Sequence, residues 1–301
     1  MRQAEQIRTG STTRTRTRTR TSRAICGRLG DPTTFAPDGP PGVFVAAPGR
    51  FHLFADRTSA AAHRSTLVIA LAGLGDVITV STVDDAAGAL GSADALGSPG
   101  SRGERRLAPV PLHRNRLPGL EEAYRATDAQ FTGPATVPAL WDRDTYRVVS
   151  NDYPTLERDL ATEFAGWSAT GVQLYPRERR AEIDELDRWL GPVVDQGPSR
   201  LRIGSDRNGD RARALLNEAF ARLDRTLSNS RYLLGEQLTL ADVRLWVTLV
   251  RFGADAGRPG RISAELQRFA SLWAYAQNLY EREEFRATTD AEALRRPSFG
   301  V

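Results

Sequence analysis

The chain has 301 residues, 40% of them hydrophobic and 26% charged, enough for one large globular domain or two ordinary ones. No apolar run approaches the ~18 residues of a membrane helix, and none opens the chain, so a cytoplasmic protein without signal peptide or membrane partner is expected. Lysine is absent, which excludes Schiff-base chemistry, while a lone Cys26 and scattered His52, His63 and His113 exclude a disulfide framework and predict no metal.

The charge is unevenly placed. Residues 1–30 hold eight arginines and one glutamate, +7, so the whole-chain +4 leaves −3 for the remainder. The basic part is a leader, 1–48, where Arg-Thr alternation over 13–21 gives way to a Gly/Pro-rich stretch. Like charges and few apolar groups predict disorder there. No aromatics interleave with the arginines for base stacking, so nucleic acid is not an expected partner.

Order is predicted to begin near Arg50. Residues 50–54 alternate as a strand, and 59–64 open a helix to about Leu74, with Ser59 as N-cap and Gly73 and Gly75 ending it. The β-branched run 77–83 predicts a second, buried strand, completing a strand–helix–strand unit. Residues 84–119 are Ala/Gly/Ser/Pro-rich, long for a structureless connection, and so mobile or functional. A short helix at 120–127, a hairpin from 137–142 and 146–150, and a helix at 151–164 follow. Gly166, Gly171 and Pro176 mark a join at 166–177. Apolar spacings of three and four then predict helices at 178–190, 207–229 and 239–253, with a last one at 264–281.

The strongest local signal is Thr239-Leu240-Ala241-Asp242, where Thr239 and Asp242 have N-cap and N3 spacing, with Leu238 and Val243 placed as a hydrophobic staple. Together with other spaced motifs it resembles the glutathione-transferase superfamily. Those motifs are 49–54 (GRFHLF), 136–142 (TVPALWD), 174–176 (LYP), 181–186 (AEIDEL) and 248–252 (TLVRF), and they are most similar to the xi class, the glutathionyl-hydroquinone reductases. The resemblance runs in order over about residues 43–285. It implies a thioredoxin-like half at 49–165, a linker at 166–177, an all-helical half at 178–290 and a tail at 291–301.

The departures carry the chemistry. The family's Cys-Pro-Trp-Ala-His-Arg motif falls on Ser59-Ala60-Ala61-Ala62-His63-Arg64, so serine stands where the family's cysteine forms a mixed disulfide with glutathione. Cys26 lies far upstream in the sequence and is expected to be a spare thiol. The family's Glu-Ser pair, which holds the γ-glutamyl group, falls on Asp152-Tyr153, with Pro154 next. By resemblance, Val137 precedes a cis proline, Pro138, and offers backbone hydrogen bonds to a peptide-like ligand.

Ser59 reads as an ordinary N-cap or as a hydroxyl that stabilises a bound thiolate. Asp152 reads as a partner for an ammonium group or for the helix dipole. His63, Arg64 and Arg251 belong to matched motifs and read as cleft contacts or as packing and ion-pair residues. The resemblance thus implies a homodimer that uses glutathione or another low-molecular-weight thiol on a small, quinone-like electrophile, without the cysteine-dependent reductase step. Two other readings stay open: a fold redeployed in biosynthesis with a different ligand, and a non-enzymatic binding homologue.

Overall fold

Phe51–Ala55 is buried from end to end, which identifies it as an interior strand with both faces covered. In the computed structural model, which describes residues 25–30, 42–82, 117–192, 207–255 and 264–295, two very short strands precede it: β1 (Arg28–Leu29) and β2 (Val43–Phe44), paired in parallel. The buried strand is β3. Helix α1 (Ala60–Leu71), β4 (Thr79–Thr82), α2 (Leu120–Thr127), β5 (Ala139–Asp142), β6 (Arg147–Ser150) and α3 (Tyr153–Glu163) complete this half. The four longer strands lie in the order β4-β3-β5-β6, with β3 and β4 parallel and the other pairs antiparallel. This is the expected thioredoxin-like arrangement.

The alternation along β3 sorts its side chains between two cores. Phe51 and Leu53 pack with Leu67, Val68 and Leu71 of α1, while Phe54 packs with Trp141, Val148 and Tyr124 on the other face. Helix α1 stops in a Schellman motif, as its glycine predicted. Gly73 N–H donates to Ala70 and Leu74 N–H to Ile69, and Gly73 takes φ +63.

The helical half comprises α4 (Arg180–Leu190), α5 (Arg207–Leu227), α6 (Leu240–Asp255), α7 (Ala270–Glu281) and α8 (Glu283–Thr288). Helix α6 is buried nearly all round, through Ala241, Val243, Leu245, Trp246, Val247, Leu249 and Val250, as a central helix must be. Helix α1 packs against both α6 and α8, so the two halves meet along the first helix.

Three expectations need correction. The run at 77–83 is not a buried strand: only Thr79–Thr82 pairs, at the sheet edge, and Val80 is 42% exposed. Its β-branched residues fit a pleated surface, but Thr79 and Ser81 use their hydroxyls on the ring nitrogens of His52, at 2.7 and 2.8 Å. The last helix, expected over 264–281, is divided into a 3-10 turn at Ala264–Arg268 and α7, with Phe269 as the α7 N-cap. The leader is not structureless where it is described. Arg28 forms a two-pronged ion pair with the buried Asp159 (2.7–3.1 Å), and Leu29 N–H donates to the same carboxylate at 2.8 Å. A carboxylate from α3, 130 residues on, supplies what the local composition lacks. The Arg-Thr repeat, the segment 84–116 and residues 296–301 lie outside the described residues.

Candidate functional site

Strand register gathers the candidate residues at one end of the sheet. Phe54 pairs with Ala139, so the loop leaving β3 toward Ser59 stands opposite Pro138, which enters β5. Leu140 pairs with Ser150, so β6 ends on the same side and runs directly into Asp152 and Tyr153. Three connections remote in sequence thereby meet, and the Val137–Pro138 peptide is cis, as the motif implied.

Ser59 is the N-cap of α1. Its backbone is extended, its Oγ accepts from Ala62 N–H at 3.2 Å, and the side chain is partly accessible. The capping function is therefore filled, yet it consumes only a lone pair; the hydroxyl proton is engaged by no other described residue. The preceding loop is held from within by Thr58 N–H to Asp56 Oδ1 (2.6 Å) and Ser59 N–H to the Asp56 carbonyl (3.1 Å). Val137, half-buried, has neither its N–H nor its C=O engaged by the described residues.

One turn into α1, His63 is fully enclosed and its Nε2 has no hydrogen-bond partner among the described residues. Burial first, then the Arg251 and Arg64 guanidiniums, push its pKa down to about 3, so the ring is neutral at physiological pH. Arg64 is likewise buried. It pairs with Glu157 of α3 at 3.0 Å and lies 4.7 Å above the Tyr153 ring. Burial holds the Glu157 carboxyl above its usual range despite that partner. Arg64 thus forms an ion pair and lies against the Tyr153 ring. Arg251 reaches from α6 across to the loop before α1, donating to the carbonyls of Thr58 (2.7 Å) and Arg57 (3.4 Å).

At the start of α3, Asp152 occupies the N-cap without capping through its side chain; its Oδ2 accepts the Thr155 hydroxyl at 2.7 Å. Pro154 sits in the first turn and removes one of the N–H donors that such a helix end offers.

Several participants were not singled out beforehand. Asn151 accepts from Ile25 N–H at 2.8 Å and donates to Thr136 Oγ1 at 3.0 Å, and Tyr124 donates to the Thr136 carbonyl at 2.8 Å. This triad anchors the stretch before Val137. The place of Asn151, directly before the positions of the family's Glu-Ser pair, was the available signal. Cys26, far away in sequence, is close in space: it forms an isolated bridge with Ser150, and desolvation and then the Asp152 carboxylate raise its thiol pKa. Such a thiol is a poor nucleophile.

Thr239 and Asp242 lie elsewhere, at the buried start of α6. The Asp242 carboxylate accepts from Thr239 N–H (2.9 Å), Leu233 N–H (2.9 Å), Thr239 Oγ1 (3.1 Å) and the Tyr275 hydroxyl (3.0 Å). Burial still raises its pKa above the ordinary value. This is a structural cap. A cavity of about 580 Å³ is lined by Glu182, Glu185, Leu186, Arg188, Trp189, Arg222 and Leu234, and none of the candidate residues borders it. Among the described residues no helix is long and apolar enough to cross a membrane, and no cluster of three metal-ligating side chains occurs.

A thioredoxin-like half carrying a cis proline, packed on an all-helical half with a capped central helix, defines the glutathione-transferase fold. Residues 206–278 match the family model "Glutathione S-transferase, C-terminal domain". The glutathionyl-hydroquinone reductase YqjG of Escherichia coli is 31% identical over 271 residues, covering 87% of this chain and 80% of that protein. Its glutathione-bound structure superposes with a TM-score of 0.71 at 28% identity, covering 90% and 86% of the two chains. The corresponding reductase PcpF of Sphingobium chlorophenolicum is 32% identical over 75% of this chain and 69% of its own. A xi-class transferase from Natrialba magadii gives a TM-score of 0.69 at 26% identity, over 91% and 80%. The chain belongs to the glutathionyl-hydroquinone reductase family, the xi class of the glutathione transferases.

Proposed function

We propose that this protein activates a low-molecular-weight thiol through Ser59 for addition to a quinone-like electrophile, and does not perform the cysteine-dependent reduction of its relatives. The observation that carries the reading is the serine hydroxyl at the open N-terminus of α1, its proton uncommitted among the described residues, at the sheet end where none of those residues engages the Val137 backbone polar groups. A hydroxyl donated to sulfur, together with the positive end of α1, favours the thiolate over the thiol. The thiolate attacks a ring carbon and an S–C bond forms; the proton lost by the thiol ends on one ring oxygen, and the C–H bond at the attacked carbon breaks, its proton moving to the other oxygen as the ring becomes aromatic. The product is a thioether hydroquinone, and no further reductant is required. A serine alkoxide has no comparable route to a mixed disulfide.

Calorimetry with glutathione should give binding, and Ser59→Ala should reduce thiol addition to a model quinone at least tenfold. Ser59→Cys should create deglutathionylating activity absent from the parent. Failure of glutathione and of every other small thiol to bind ends the reading.

The start of α3 favours a second reading in which the thiol is not glutathione. Asp152 presents a carboxylate, Pro154 deletes an N–H, and Tyr153 replaces a small hydroxyl under the Arg64 guanidinium. These changes weaken a site for an α-carboxylate and retain an acceptor for amino or hydroxyl groups. Tighter binding of an N-acylcysteine bearing hydroxyls than of glutathione supports it; the reverse order removes it.

A further inference from the structure

The loop that delivers Ser59 is held by the other half of the molecule. Residues 56–59 connect β3 to α1, and two of their four neighbouring carbonyls are taken by one side chain 193 residues away. Arg251, on the central helix α6, donates to Thr58 O at 2.7 Å and to Arg57 O at 3.4 Å. Thr58 is buried, so its carbonyl has no water to fall back on. A second tie comes from the C-terminal region, where Arg57 pairs with Asp290 at 2.8 Å, in a more exposed setting.

We propose that Arg251 is a positioning residue for the side chain at 59: the helical half aims the α1 N-terminus and lends it positive charge. This rests on the reading of position 59 as the thiol-activating position, and it adds how that position is tuned. Two properties of the guanidinium matter. Its planar fork spans adjacent carbonyls, which sets the direction from which the chain enters α1. Its charge lies close to the first turn, as its lowering effect on the buried His63 ring indicates. A helix N-terminus with an added cation stabilises an anion better than either alone. The groups that face this corner are Arg64 and His63 on α1, Glu157 on α3, and Arg57, Asp56 and Asp290 around the loop.

The test reads a property of position 59 that needs no bound thiol. In the Ser59→Cys protein, the pH dependence of alkylation by iodoacetamide gives the thiol pKa, expected below the free-cysteine value. Adding Arg251→Gln should raise that pKa by about one unit, while adding Arg251→Lys, which restores the charge and one donor, should recover at least half the shift. If Arg251→Gln leaves the thiol pKa unchanged, or if Gln and Lys shift it equally, the inference fails. Should the Gln variant not fold, hydrogen–deuterium exchange decides with Arg251→Lys alone: the peptide covering 56–62 must exchange faster than in the parent, and unchanged exchange overturns the proposal. Failure of glutathione and of every other small thiol to bind the parent would sink the proposed function but leave these readouts interpretable.

Discussion

Two helix starts in this molecule are built from the same kind of residue and end in opposite states. At α6 the cap is closed: Asp242 is fully buried and its two oxygens take four hydrogen bonds. At α1 the cap is open: Ser59 holds one N–H, has its own proton uncommitted among the described residues and remains partly accessible. A cap whose hydrogen-bonding capacity is consumed by the fold contributes stability and no chemistry. A cap with capacity left over has something to offer a ligand. The contrast separates a closed cap from an open one without reference to residue type, since Thr239 and Ser59 are both ordinary hydroxyl N-caps.

The comparison breaks first at Asp242. Asp242→Ala should cost about 3–5 kcal/mol in urea denaturation, because Leu233 N–H, Thr239 N–H and the Tyr275 hydroxyl lose their buried acceptor together. Asp242→Asn, which retains an acceptor, should cost visibly less. A loss near 1 kcal/mol for the alanine variant would mean the closed cap is no more than an ordinary one.

The ring behind the open cap sets the next effect. His63 has a folded pKa of about 3 against about 6.5 unfolded, so its contribution is fully present above pH 6.5 and is lost as pH falls toward 3. By pH 5 the native protein should have lost about 2 kcal/mol through this residue. Denaturation of the parent and of His63→Gln at pH 7 and pH 5 isolates it: the parent should lose more over that interval. Equal losses would show that the ring is not held neutral by its surroundings.

The smallest effect sharpens the contrast. Ser59→Ala should cost only about 1 kcal/mol of stability, and Ser59→Gly a few tenths, while both reduce thiol activation alike. A stability cost approaching that at Asp242 would place Ser59 among the structural caps and leave the proposed activity without its residue.

The strands and helices that were legible in the sequence are those whose determinants are close along the chain. Thr239 and Asp242 recognise each other across three residues, Gly73 ends α1 through its own preceding carbonyls, and Ser59 caps the residue three ahead. The family motifs marked the candidate site in the same way, through Val137, Pro138, Asp152 and Tyr153. What escaped was supplied from far off. The leader's order depends on Asp159 and Asn151, and the exposed fate of 79–82 depends on where β3 finds its other partner. Cys26 comes beside Asp152 only because β6 offers it an edge.

Short-range hydrogen bonds and hydrophobic period are written in neighbouring letters, so the architecture, the caps and the serine substitution were decided by the amino-acid order. Whether a capped hydroxyl stays open, a histidine stays neutral or an arginine 193 residues away grips the loop before α1 depends on burial and on partners brought together by packing. Those were set only when the two halves closed on α1.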